Sequence, residues 1–141
     1  MVNERLGLFT LKLFFYSIAA GFLVGILELY IGHRFILDPL LYDKDPGFVY
    51  ESYLAPTYYG FTKSIVVSLV FFLVYIFTFK KNIKSILKSI IIGILGTVIF
   101  GIYYYFTFPH STFFGGTIIG IVHFLFISGT CFIFAKIAKL E

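Results

Sequence analysis

Along this chain the apolar positions merge into four long runs, at roughly 11–35, 57–79, 83–108 and 112–135, separated by short polar stretches. Each run is near the ~20 residues that a helix, rising ~1.5 Å per residue, needs to cross the core of a bilayer. The pattern predicts an all-α fold: an integral membrane four-helix bundle of four transmembrane spans, with an N-terminal stub, an outer loop at about 36–56 and two short turns as the remainder. Residues 1–141 read as a single polytopic membrane domain.

Composition strengthens this picture. Hydrophobic residues make up 60% of the 141 and charged residues only 13%, far from the balance of a soluble globular domain. The N-terminus has elements of a cleaved signal peptide, with Arg5 and Lys12 as basic residues and Ser17, Ala19 and Ala20 as a small-residue site. About four apolar residues separate Lys12 from Ser17, against the ~7–15 of a signal core, so the first span is expected to be retained. Cys131 is the single cysteine, which rules out an intramolecular disulfide, paired-thiol redox chemistry and a structural zinc site of several thiolates.

Charge sets the expected orientation. Arg5 and Lys12 precede the first span, Lys80, Lys81, Lys84 and Lys88 surround the turn between the second and third, and Lys136 and Lys139 follow the fourth. The opposite side carries Arg34 and Lys44 against Asp38, Asp43, Asp45 and Glu51, with His33 and His110 nearby. Lysine and arginine in short loops stay cytoplasmic, so a multi-pass protein of the cell membrane with both termini cytoplasmic is expected. The same asymmetry accounts for the net charge of +4 without a nucleic-acid partner. The expected partner is the lipid bilayer, joined by further copies of the chain or by another membrane protein.

The outer loop, ILDPLLYDKDPGFVYESYLAPTYYG, mixes those acids with Tyr42, Tyr50, Tyr53, Tyr58 and Tyr59, residues suited to a headgroup layer. Its GFVYESYLA segment fits a short helix on the membrane surface, and Pro56 fits the first turn of span two. Asp43, Asp45 and Glu51 have neither a calcium-loop pattern nor histidine spacing. No metal and no cofactor is expected.

Helices in lipid associate by close approach at small residues, since the solvent itself is apolar. Every span has such a stripe at spacing four: Ser17, Gly21 and Gly25; Gly60, Ser64 and Ser68; Gly93, Thr97 and Gly101; Thr112, Gly116 and Gly120. These are expected to face inward in a tight bundle, or to meet a second copy of the chain.

Three polar side chains share the predicted interior. At ~100° per residue Glu28 falls within the arc of Ser17, Gly21 and Gly25, Tyr104 within that of Gly93, Thr97 and Gly101, and His123 about 20° outside that of Thr112, Gly116 and Gly120. Counting ~1.5 Å per residue from the outer span ends, Glu28 and Tyr104 lie roughly 9 Å and 6 Å deep and His123 roughly 15 Å. An ionised carboxylate at such depth costs several kcal/mol unless it finds a partner, water or a proton, and both His123 and Tyr104 can donate to it. Lys63 lies at similar depth but points roughly 100° from the middle of its own stripe. It is expected to snorkel outward rather than to pair with Glu28.

Two kinds of role fit these residues. A buried hydrogen-bond network would fix helix register, in a structural, assembly or lipid-binding protein that works through the bundle interior. Alternatively Glu28, with Tyr104, His123 and Lys63, lines a small polar cavity that binds a cation or cycles a proton in a small coupled transporter. An enzyme is the weakest reading, because no nucleophile–base pair, phosphate loop or HxxxH metal pair occurs, and no catalytic residue is singled out.

The glutamate in the first of four spans, within GILELYIG, resembles the small multidrug-resistance transporters, which exchange protons for cationic drugs through such a residue. That resemblance implies the exchanging role for Glu28. The chain departs from the family in the glutamate's Ala-Glu-Val-like context, in its long outer loop and in having no tryptophan. YLAPTYYG and FISGTCFIFAKIAKL are similar to the aromatic-proline entry and the terminal span of the insulin-induced-gene family. That second resemblance implies binding of sterol or diacylglycerol between helices, in a family with six spans.

Overall fold

The computed structural model describes residues 2–41, 44, 54–79, 81–107 and 112–140. The loop residues Tyr42, Asp43, Asp45, Tyr50, Glu51 and Tyr53, most of the segment GFVYESYLA, and His110 lie outside the described residues, as do the side chains of Tyr58, Tyr59 and Tyr104. Among the described residues all regular structure is helical: α1 (Val2–Leu27), a π-helical segment (Glu28–Leu37), α2 (Asp38–Leu41), α3 (Leu54–Phe77), α4 (Ser85–Thr107) and α5 (Phe113–Ile137). Four stretches are long and apolar enough to cross a membrane, Gly7–Leu41, Gly60–Phe77, Ser85–Tyr103 and Phe113–Ile137.

Consecutive spans are neighbours. The first span packs chiefly on α3 and α4 chiefly on α5, while α3–α4 and α1–α5 contacts close the ring. Fully buried Leu13, Ala20, Val67, Phe71, Ile92 and Cys131 fill its centre, with the Phe71 and Tyr75 rings stacked at 4.5 Å. The outer faces remain apolar: Phe15, Leu69, Val98 and Leu125 are all more than half exposed. Such a girdle is a liability in water and suits lipid contact.

The α1–α3 contact shows why small residues recur there. A Cβ on Gly21 would collide with the Ser68 hydroxyl and the Ser64 carbonyl, and one on Gly25 would collide with the Ser64 hydroxyl and sit 2.6 Å from the Gly60 carbonyl oxygen. The two serines are already satisfied within α3, donating to Gly60 O at 2.7 Å and Ser64 O at 2.6 Å. They therefore present a low surface rather than a polar demand.

Three expectations change. The first span runs to Leu41 instead of ending near 35, because Leu37 and Leu41 are buried against Ile119 and Val122 of α5 and Pro39 falls in the first turn of α2, where it is tolerated. Thr112 is a cap rather than a packing residue: its hydroxyl accepts the Gly115 N–H at 3.0 Å at the start of α5. Gly101 and Gly116 are exposed, with no atom within 4 Å of an added Cβ. Strict spacing of four precesses ~40° per step, so the α4–α5 seam passes instead through Gly93, Gly96 and Thr97. An added Cβ on Gly93 would meet Ser128 at 2.8 Å, one on Gly96 would meet Ile127 at 3.0 Å, and Gly120 faces Thr97.

Candidate functional site

Glu28 begins the π-helical segment. There the hydrogen bonds span five residues rather than four, as in Asp38 N–H to His33 O. Insertions of this kind re-aim side chains, and they recur at functional sites. Gly32 makes room: an added Cβ would lie 3.1 Å from Glu28 Cγ and 3.3 Å from the Phe126 ring.

The Glu28 carboxylate enters the centre of the ring and is 1% exposed. Its Oε1 is in ion-pair contact with Lys63 Nζ from α3 and with His123 Nδ1 from α5. Lys63 Nζ also lies 2.8 Å from His123 Nδ1, so the three polar atoms form a triangle. The remaining span, α4, contributes Phe100, whose ring centroid is 5.1 Å from Lys63 Nζ and 6.0 Å from that of the His123 imidazole. Each of the four spans thus gives one side chain to a single cluster.

Lys63 overturns the snorkelling expectation. It is 5% exposed and turned inward, because the Gly25–Ser64 contact draws the adjoining turns of the two helices together. A four-carbon stem then covers the angular offset, and Phe100 offers the ammonium its negative ring face. Glu28 and His123 are brought together as expected, whereas the Tyr104 side chain lies outside the described residues. His33, five residues beyond Glu28 and so one π-turn along, is close enough to interact electrostatically with Glu28, Lys63 and His123. Sequence periodicity missed both His33 and Phe100. Five residues at ~100° leave an α-helical face, and one phenylalanine among 20 carries no signal.

Proton bookkeeping limits what the triangle can be. An ammonium can donate to both Glu28 Oε1 and His123 Nδ1, but Nδ1 cannot accept that proton while donating its own to Oε1. One state therefore has a neutral imidazole accepting from Lys63. Any other has the proton between Nδ1 and Oε1, either as the second neutral tautomer with the same proton count or as an imidazolium with one more. The neutral-imidazole states balance one carboxylate against one ammonium, and the imidazolium adds a unit positive charge in a dry interior. Glu28 Oε2 is buried and accepts no hydrogen bond among the described residues, leaving one oxygen open to a proton or cation. No group of three metal-ligating side chains occurs among the described residues.

No family model, no curated protein and no solved structure matches this chain.

Proposed function

We propose that this chain is a small integral membrane carrier in which Glu28 exchanges its resting partners, Lys63 and His123, for a proton or a cation. Both termini face the cytoplasm in this reading, and the His33 end of the cluster faces outward. The observation that carries it is the Glu28–Lys63–His123 triangle, built from three different spans around one carboxylate. Buried ion pairs contribute little net stability, and replacing them with well-packed apolar residues is often neutral or favourable. A titratable triad in a span is therefore better explained by what it exchanges than by what it holds. Lys63 acts as a tethered cation on the carboxylate, and a competing proton or solute cation displaces it. Freed from Glu28, α3 and α5 can shift against the first span.

A second reading has its own support in the tight α1–α3 seam. There the triad only fixes register in a structural or assembly component, which gathers further copies, a partner protein or lipid around the bundle. One experiment separates the two. Purified protein is placed in liposomes containing a pH-sensitive dye, with an imposed pH gradient and with or without tetraphenylphosphonium as the cation. Exchange predicts proton movement that responds to the cation and is abolished by Glu28→Gln, while the variant keeps its helical content and monodispersity. Flux unchanged in Glu28→Gln, or absent from the unmodified protein, favours the structural reading.

A further inference from the structure

The opposite end of the bundle holds a second polar feature that the Glu28 cluster does not use. A cavity of about 380 Å³ opens where the α3–α4 turn meets the end of α5, and Lys81, Lys88 and Lys139 line it together with Phe9, Phe79 and Leu140. Lys88 is the unusual member. It is 6% exposed, with its ammonium 4.7 Å from the centroid of the Tyr75 ring, and among the described residues no carboxylate pairs with it or with the other two lysines. It also stands in the first turns of α4, where the helix dipole disfavours a cation and favours an anion. Ser85 Oγ and Ser89 Oγ, on the same turns of α4, are buried with no hydrogen-bond partner among the described residues.

Lys139 gives an independent sign. α5 ends in a Schellman motif: Leu140 N–H donates to Ala135 O at 3.0 Å and Lys139 N–H to Lys136 O at 3.2 Å. The first residue past the cap must adopt a left-handed backbone, a place that favours glycine, yet Lys139 occupies it with φ 52°. Backbone preference alone would not choose lysine. Lys139 lines the cavity, so the strained position brings a third lysine to it. By sequence the acids at this end are Glu4 and Glu141, against Arg5, Lys12, Lys80, Lys81, Lys84, Lys88, Lys136 and Lys139.

We propose that this cavity binds the phosphate of an anionic phospholipid from the surrounding leaflet. Three ammonium groups recognise the phosphate, and Phe9, Phe79 and Leu140 continue the apolar wall towards the girdle that the acyl chains would follow. Basic pockets between spans are an established way of holding such headgroups. A free phosphate would use the lysines but not the wall.

Native mass spectrometry of the full chain in mild detergent, titrated with phosphatidylglycerol or phosphatidylcholine, tests the assignment. Phosphatidylglycerol is expected to bind more tightly, and Lys88→Gln and Lys139→Gly each to weaken it about fivefold, corresponding to ~1 kcal/mol for a basic residue at a lipid surface. Lys139→Gly keeps the test free of folding effects, because glycine suits the position and should leave thermal stability equal or higher. Glu28→Gln should leave lipid binding unchanged, which keeps this site separate from the proposed exchange. Equal binding of the two lipids, or undiminished phosphatidylglycerol binding in both lysine variants, overturns the proposal. Inorganic phosphate that competes away the bound lipid at similar concentration overturns the lipid source in favour of a soluble anion.

Discussion

Glu28 and Lys63 are each expensive to bury alone and tolerable together, a difference that can be measured. Glu28→Leu leaves an ammonium 5% exposed without its carboxylate, against the Phe100 face and the His123 nitrogen. Lys63→Met leaves a buried carboxylate that keeps, among the described residues, its contact with His123. Removing one member of a buried pair costs about 3–5 kcal/mol, whereas replacing both with apolar residues of similar volume is near neutral. The double variant Glu28→Leu/Lys63→Met should therefore recover most of the stability that either single variant loses, read as the midpoint of unfolding in detergent. Additive losses would show that the two side chains are not coupled in the folded bundle. If exchange is the role of the triad, the double variant should be stable and silent in transport.

Helix contacts follow a rule that the glycines expose. Gly21 and Gly116 both belong to spacing-four stripes, yet an added Cβ collides with α3 at Gly21 and meets nothing within 4 Å at Gly116. Gly21→Ala should destabilise the bundle by about 1–3 kcal/mol, the usual range for overpacking. Gly116→Ala should be neutral or stabilising by up to ~1 kcal/mol, since alanine is the better helix former. Thermal unfolding of the two variants in the same detergent checks the pair, and similar losses in both would place Gly116 in an interface between copies of the chain. The α1–α3 seam was legible because two spacing-four rows meet there. The α4–α5 seam was only partly so, since a face defined by Gly93, Gly96 and Thr97 follows the three-and-four alternation instead. The π-helical segment left no trace in the sequence. It contains no internal proline, and its Glu28, His33 and Arg34 read equally well as the polar end of an α-helical span, so nothing announces that His33 follows Glu28 round to the same face. Lys63 was misread for a related reason. Angular arithmetic fixes where a Cα lies, while a long flexible stem decides where the charge ends up.

At the scale of the whole molecule, the two ends of the bundle differ in charge as well as in shape. Lys81, Lys88 and Lys139 gather at one end, and Glu28 lies towards the other, with His33 one π-turn beyond it. An even number of spans would put both termini at the lysine end, and the positive-inside rule predicts a cytoplasmic location for that end. Two exposed positions report on this directly: Lys44 beyond α2 and Asn82 in the α3–α4 turn. The native thiol does not interfere once Cys131→Ala removes it from the core, where it is fully buried. In that background Lys44→Cys should react with a membrane-impermeant maleimide on intact cells, and Asn82→Cys only after the membrane is opened. The reverse pattern would invert the protein, turning the Glu28–His33 side towards the cytoplasm and the lysine cavity towards the outer leaflet. The same inversion would remove the inner-leaflet anionic lipids from reach of Lys88 and Lys139. Under the two proposals, orientation decides which compartment would supply the proton to Glu28 and which leaflet would supply the phosphate to the lysines, and both follow from where Lys44 and Asn82 are labelled.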